Sequence, residues 1–339
     1  MANWTKDPDG AAEDLVAGAL DELALEPPVL WAGSARPRIE PVSGPAAAAV
    51  TWHRRFLHDQ PGTPAPPRGP FATALLRLPK SRAEQIMSAH LCLGALTPHG
   101  RLIVYGGNDE GIRSFQKNIG ELGLAATLIT RGHGRILELR RQHVAAPLKS
   151  RIADWRQALA ASAVGSARTW ISYPGLFAGG VLDPGTALLL DHLPQLSANA
   201  TVLDYGAGPG AISADIQRRH RHADITLLDN DSVALLAASE NVPEATLVAG
   251  DRLAAAASRR FDLIVSNPPL HAGFKEDTSA LHRLIADARS YLNPGGALLL
   301  VVQARLSLDR ALSASFTTAE TLASNGRYKV WRGSGATPK

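Results

Sequence analysis

Along this chain short apolar runs alternate with segments in which apolar residues return every third or fourth position, and the alternation comes in two blocks. In the first, from Phe71, ATALLRL predicts a strand, SRAEQIMSAHLCLGAL a helix, RLIVYGG a second strand and GIRSFQKNIGELG another helix. The second block starts near Val181. There TALLLDHL predicts a helix, TVLDYG a strand, AISADIQRRH a helix, DITLLD a strand and SVALLAASEN a helix. ATLVAG and FDLIVS follow as strands, SALHRLIADARSYL as a helix and ALLLVVQ as a strand. Strands that alternate with helices build largely parallel sheets covered on both faces, so both blocks belong to the α/β class.

The blocks also repeat one another. LLRLPKSRAEQIMSAHLCLGALTPHGRLIVYGG reads as strand, proline turn, helix, Leu-x-Pro-x-Gly turn and strand, and so does the stretch from LIVSNPPLHAG to SYLNPGGALLLVVQ. An internal duplication accounts for this. Where the second copy has Asn267-Pro268-Pro269, the first reads Leu78-Pro79-Lys80, so the chemistry of that motif is expected to be absent from it. YGGNDEG (105–111) imitates a nucleotide loop, but its place after LTPHG makes it a later sheet edge. The resulting division is an acidic N-terminal extension with a short helix (1–30), a first domain (31–150), a connection (151–175) and a second domain (176–339). PGTPAPPRGP (61–70) is a loop that neither helix nor strand accommodates.

Composition narrows the class. With 339 residues, 45% of them hydrophobic, the chain suffices for about two domains of roughly 150 residues with real cores. The longest apolar runs, such as ALLLVV (297–302), fall far short of the roughly 20 residues of a membrane span, and no charged-then-apolar leader opens the chain. A soluble cytoplasmic protein is expected. The single cysteine, Cys92, excludes an internal disulfide, and its setting in AHLCLGAL places it on a buried helix face. No histidine spacing suggests a metal site. Seven acidic residues and one lysine give residues 1–30 a net charge of −6, so the chain total of +4 leaves +10 on the remainder. Basic clusters at RRHRH (218–222), SRR (258–260) and GRYKVWR (326–332) mildly favour a polyanionic partner.

The second copy carries a glycine loop, VLDYGAGPG, in which Gly206, Gly208 and Gly210 follow a strand and open a helix. Such a loop lets backbone approach a ligand closely, with helix amides facing it. Asp229 ends the strand ITLLD about 20 residues on, where a carboxylate can accept both hydroxyls of a ribose, with Asn230 beside it. The pairing fits a dinucleotide or S-adenosylmethionine. Asp204, at the end of the first strand, favours the latter, because it suits a cationic amino-acid end better than a pyrophosphate. Asp251, after ATLVAG, is placed to meet an adenine amino group.

FDLIV then stops on SNPPLH, although neither proline can extend a central strand. The strand delivers Asn267 to the carboxyl end of the sheet, beside the glycine loop, where open α/β sheets bind ligands. Pro268 and Pro269 rigidify the exit and leave carbonyls without neighbouring donors. An amide oxygen and a backbone carbonyl held together are a pair of acceptors for the two hydrogens of an exocyclic amino group, a grip that turns the nitrogen lone pair toward a sulfonium methyl. Asp183-Pro184 reads as a helix cap with proline at the first helical position.

VLDYGAGPG, LLDND, AGD, SNPPLH and Leu-x-Pro-Gly-Gly, in this order, resemble the class I methyltransferases that modify amino nitrogens. FAGGVLDPGTALLLDHL (177–193), NPP with His271 one residue further on, and NGRYKVWR narrow the likeness to the bacterial ribosomal RNA guanine-N2 methyltransferases of the RsmC and RlmG type. The resemblance implies tandem Rossmann-like methyltransferase domains: a degenerate first copy that supports the second and helps hold RNA, and a seven-stranded second copy ending in an antiparallel hairpin. It further implies S-adenosylmethionine as cofactor and ribosomal RNA as substrate, with 16S RNA favoured over its large-subunit equivalent; a monomer is expected. Catalysis falls to Asn267, Pro268 and Pro269. Asp204, Gly206, Gly208, Gly210, Asp229, Asn230, Asp251 and Phe177 would bind the cofactor, and Leu270 and His271 the target base or its backbone. Two positions depart from the family: Leu270 stands where an aromatic usually stacks on the base, and Phe177-Ala178-Gly179 replaces Phe-Ser-Arg.

Other readings stay open at this level. A glutamine-N5 or adenine-N6 methyltransferase shares the NPP chemistry but ordinarily has the aromatic at 270 and lacks the first block. A nicotinamide-dependent oxidoreductase fits the glycine loop and leaves Asn267-Pro268-Pro269 unexplained. A non-catalytic RNA-binding ribosome assembly factor fits Leu270 and the basic body.

Overall fold

The computed structural model describes residues 7–33, 49–56, 60–123, 125–144, 146–160, 169–257, 259–268, 271–272, 275–276 and 278–336. The chain divides into two units, Met1–Leu57 with Gly62–Arg156, and His58–Pro61 with Gln157–Lys339. The change of unit thus falls between Arg156 and Gln157, inside the stretch read as a connection.

The first unit is built on β1 (Val29–Ala32), β2 (Val50–Trp52), β3 (Phe71–Arg77), β4 (Leu96–Gly107), β5 (Ala126–Arg131) and β6 (Gly134–Arg140), in the sheet order β2-β1-β3-β4-β6-β5. β1 to β4 are parallel, and β6 and β5 add an antiparallel hairpin beyond β4. The YGG end of β4 therefore belongs to an interior strand, not to a sheet edge. Its helices are α1 (Pro8–Ala17), the single turn α2 (Leu20–Leu23), α3 (Arg82–Ala95) and α4 (Ile112–Asn118). Alternate residues of each strand serve opposite faces. Leu30, Leu76 and Val104 pack with Met87, Leu91 and the wholly buried Cys92 of α3, where burial pushes the Cys92 thiol far above its ordinary range. On the other face Trp31, Leu75, Ile103 and Tyr105 meet Ala12, Leu15 and Val16. The acidic N-terminal segment is therefore part of this unit's core, its helix capped by Asp7, which accepts from the Gly10 amide at 2.9 Å.

The second unit opens with the small antiparallel pair β7 (Gln157–Leu159) and β8 (Trp170–Ser172). Then come α5 (Pro184–Leu190), β9 (Thr201–Tyr205), α6 (Ala211–Arg219), β10 (Asp224–Asp229), α7 (Ser232–Asn241), β11 (Thr246–Ala249) and β12 (Phe261–Ser266). After the two-residue strands β13 (His271–Ala272) and β14 (Lys275–Glu276) follow α8 (Ser279–Ala288), β15 (Leu292–Gln303), α9 (Asp309–Ser315), β16 (Phe316–Ser324) and β17 (Tyr328–Ala336). The main sheet has seven strands in the order β11-β10-β9-β12-β15-β17-β16, all parallel except the final hairpin. Leu203, Ile264, Leu298 and Leu300 face α8 and α9, and Val202, Val265, Leu299 and Val301 face α5 to α7. No described helix is long and apolar enough to cross a membrane.

Register aligns the two copies residue by residue. Phe71 lies opposite Leu96 as Phe261 lies opposite Leu292, and both pairs are followed by a register shift that brings Thr73 opposite Arg101 and Leu263 opposite Ala297. Counting on, Arg77 takes the place of Asn267, so the first copy replaces Asn-Pro-Pro with Arg77-Leu78-Pro79, one residue earlier than the linear comparison suggests. Trp31 opposite Leu75 matches Asp204 opposite Val265, and Gly33 (φ 76°) matches Gly206 (φ 68°). The repeat thus begins at β1, a four-residue strand too short to register as a hydrophobic period.

Candidate active site

In the second unit the chain runs outward from β9 to β10 and β11, then returns on the far side of β9 as β12. Where neighbouring strands feed connections in opposite directions, their carboxyl ends open a crevice. β9 brings Asp204 and the glycine loop to it, β10 brings Asp229, and β12 brings Asn267.

The loop turns through left-handed backbone at Gly206, Gly208 (φ 57°) and Gly210 (φ 91°), and α6 starts at Ala211. The last two glycines serve different ends. A Cβ on Gly210 would meet Val242 Cγ2 at 2.9 Å and Leu227 Cδ2 at 3.1 Å, whereas a Cβ on Gly208 would meet nothing within 4 Å. Gly210 is a packing requirement, and Gly208 faces open space.

Asp229 ties the loop to its own strand end. One carboxylate oxygen accepts from the Gly208 amide at 2.7 Å and the other from the Asp231 amide at 2.8 Å. Asn230, between the two aspartates, is exposed. Asp204 is wholly buried: its Oδ2 accepts from the Ser213 hydroxyl at 2.8 Å and the Ser213 amide at 3.2 Å, while its Oδ1 is buried without a hydrogen-bond partner. Burial is the main reason that its acidity is weakened to a pKa of about 7, against the lowering effect of the Ser213 hydrogen bonds. Asp251 is exposed after β11, and its backbone carbonyl accepts from the Tyr205 hydroxyl at 2.8 Å. Burial, then the nearby Asp251 carboxylate, push that hydroxyl up to about 12, so it stays a donor. Phe177 lies on a short turn with left-handed Ala178 and Gly179 and is 63% exposed. Pro269 and Leu270 lie outside the described residues, and His271 is described only as the start of β13.

Asn267 follows β12, and its side chain is held on one side. Nδ2 donates to Thr186 Oγ1 at 2.9 Å and to Asp183 Oδ2 at 3.2 Å. Asp183 is the N-cap of α5, and the same Oδ2 accepts from the Gly185 amide at 2.8 Å and the Thr186 amide at 3.1 Å. Because the amide nitrogen is turned to α5, Oδ1 is turned away, and among the described residues nothing donates to it. Pro268 beside it is buried. Sequence reasoning recognised Asp183 only as a cap and missed Thr186 and Ser213. The available signal for Thr186 was its place at the third helical position after the cap, where a side chain leans back over the helix start.

In the first unit the corresponding place is closed. Arg77 Nη2 reaches Glu110 Oε1 at 2.5 Å and Asp9 Oδ1 at 2.8 Å, and Glu110 also accepts from the Gly107 amide at 2.7 Å. Trp31, in the place of Asp204, is buried and donates its indole N–H to the Tyr105 hydroxyl at 2.9 Å.

Residues 167–332 match the family model described as "Methyltransferase small domain". The Stutzerimonas stutzeri ribosomal RNA small subunit methyltransferase C is 34% identical over 301 residues, 84% of this chain and 88% of that protein. The Pseudomonas entomophila protein of the same name is 31% identical over 85% of this chain and 89% of its own length. A solved Thermus thermophilus 16S rRNA guanine-N2 methyltransferase, RsmC, in complex with AdoMet and guanosine superposes with a TM-score of 0.78 at 25% identity, covering 96% of this chain and 91% of that one. Both units thus take part in the likeness, and the chain belongs to the ribosomal RNA small subunit methyltransferase C family.

Proposed function

We infer that this enzyme transfers a methyl group from S-adenosylmethionine to the exocyclic N2 of a guanine in 16S ribosomal RNA. The observation that carries the reading is the fixed amide of Asn267, whose nitrogen is committed to Asp183 and Thr186 and whose oxygen is left as an acceptor beside the glycine loop. The names of the relatives, and the guanosine and AdoMet of the T. thermophilus complex, support the same substrate and cofactor here.

Two features fit the cofactor. Asp204 Oδ1 is a buried acceptor without a partner, suited to the ammonium of an amino-acid end, and the space at Gly208 admits a ligand against backbone. Asp204, Gly206, Gly208 and Gly210 would hold the amino-acid end, Asp229 and Asn230 the ribose, Asp251 the adenine, and Phe177 would cover the site. Bound there, S-adenosylmethionine supplies a methyl group activated by its sulfonium.

The chain's own part is positioning. An aromatic amine is a weak nucleophile, so Asn267 Oδ1 and the Pro268 carbonyl each accept one N2 hydrogen and direct the lone pair. Both bonds strengthen as the nitrogen becomes cationic, which lowers the barrier more than it tightens ground-state binding. The base has to be unpaired or flipped to enter, with Leu270 as an apolar face and His271 beside it.

The first unit holds RNA in this reading. It carries 19 lysines and arginines against 14 aspartates and glutamates, a net of +5, whereas the second has 16 against 17, a net of −1. We take the enzyme to act as a monomer, and an rRNA substrate supports a cytoplasmic place of work. Mass spectrometric mapping of methylated guanosines in 16S RNA from a deletion strain, before and after treatment with the purified enzyme, tests the whole assignment. A full set of modified guanosines in the deletion strain would overturn it.

A further inference from the structure

We propose that Asp183 and Thr186 are positioning residues that set which end of the Asn267 amide faces the substrate. This rests on the reading that Asn267 accepts from the target amine. An asparagine amide has two ends of nearly equal size and opposite hydrogen-bonding sense, so a site that needs the oxygen has to specify it. In the wrong orientation Nδ2 would point N–H groups at an amino group that itself presents hydrogens, and the site would keep only the Pro268 carbonyl as an acceptor.

The α5 start supplies the specification. A carboxylate accepts only, so Asp183 Oδ2, 3.2 Å from Asn267 Nδ2, tolerates the nitrogen and repels the oxygen. Asp183 cannot swing away, because the same oxygen is held by the Gly185 and Thr186 amides. Thr186 Oγ1, at 2.9 Å, takes the second amide hydrogen. A hydroxyl donates or accepts with equal ease, so Thr186 adds reach without choosing the sense. Asp183 chooses, and Thr186 completes the pair.

The duplicated copy gives an independent instance of the arrangement. Arg77, in the register position of Asn267, is met by Asp9 from the start of α1, with Nε at 3.2 Å and Nη2 at 2.8 Å from its carboxylate. In both units a carboxylate at the start of a helix meets the residue at the carboxyl end of the strand. Only in the second is that residue one with an acceptor left to offer.

The test separates capping from positioning. Asp183→Ser keeps a strong N-cap but leaves no carboxylate to reach Asn267, and Asp183→Asn keeps an acceptor oxygen at the cap. Thr186→Val removes one acceptor at constant shape, and Thr186→Ser restores it. Single-turnover methyl transfer is measured on small ribosomal subunits from a deletion strain, alongside AdoMet affinity and melting temperature. Asp183→Ser is expected to slow transfer roughly tenfold or more, the scale of a charge-assisted hydrogen bond, with AdoMet affinity within about twofold. Asp183→Asn and Thr186→Ser should stay within about threefold of the parent, and Thr186→Val should fall between. In an Asn267→Ala background the Asp183→Ser effect should vanish, since the residue it acts through is gone. Persistence of the full effect in that background would mark Asp183 as merely structural and overturn the proposal. So would full-rate transfer by the Asp183→Ser/Thr186→Val double variant while Asn267→Ala is slow, an outcome that leaves the role of Asn267 standing. Full activity of Asn267→Ala would remove both.

Discussion

In the proposed reading Asn267 serves the acceptor amine and Asp204 the methyl donor, so their substitutions should separate cleanly. If Asn267 Oδ1 grips the amine chiefly in the transition state, Asn267→Ala lowers turnover by roughly two to three orders of magnitude, the usual loss for a preorganised polar contact. AdoMet affinity, measured by titration calorimetry, stays nearly unchanged. Asp204 behaves in the opposite way. Its pKa is about 7 in the fold against 3.8 as the ordinary value, so the folded chain holds this proton more tightly than the unfolded one. The stabilisation that follows is complete below the ordinary value and is lost as pH rises through about 7. Ligand ammonium prefers the ionised form. Affinity for AdoMet should therefore rise between about pH 6 and pH 7.5, and Asp204→Asn should flatten the dependence. At position 270, restoring the family's aromatic with Leu270→Phe should tighten RNA binding by about 1 kcal/mol or more if the base stacks there, as a filter-binding series would reveal.

The glycine loop is an element whose members look alike in sequence and differ in the fold. Gly210→Ala presses a methyl group onto Val242 and Leu227 in a left-handed turn, and a loss of about 1–3 kcal/mol in unfolding free energy is expected. Gly208→Ala meets no atom. It costs about 1 kcal/mol of backbone strain and its larger effect should be on AdoMet affinity. A denaturant melt and a binding isotherm on both variants check the contrast. The main-sheet strands and the helices from α5 to β15, with the glycine positions between them, were readable from the chain, because apolar periodicity and turn residues agree there, whereas the short pairs β7–β8 and β13–β14, α9 and the final hairpin carry no such pattern. The tie between α5 and β12 was not readable either, since Thr186 and Asn267 are 81 residues apart and nothing local marks their meeting. β1 was lost for a different reason: four residues after two prolines carry too little periodicity to stand out, and with it went the true start of the repeat.

At the scale of the whole molecule, the proposed reading gives RNA holding to the first unit and catalysis to the second. One molecule of AdoMet per chain is expected by calorimetry, because the first unit has Trp31 and Arg77 where the second has Asp204 and Asn267. RNA affinity should fall with salt more steeply than the near-neutral second unit alone would dictate. Charge-neutralising substitutions at the exposed Arg113 and Lys117 of α4 should each reduce the slope of log affinity against log salt by up to about one. Retention of the parent slope would move RNA contact away from that helix.

The ion cluster around Arg77 also makes the loss of the first site hard to undo. An Arg77→Asn change would not restore an acceptor grip, because Glu110, with a side chain 3% exposed, would lose its cation while still buried, a defect of about 3–5 kcal/mol. Trp31 would still fill the register position that Asp204 has in the second unit. The Arg77 step is harmful by itself and insufficient without a change at Trp31, so the duplicate is held in its present form by a ratchet. It is free to vary on its surface, but it is barred from regaining a second catalytic centre by single substitutions.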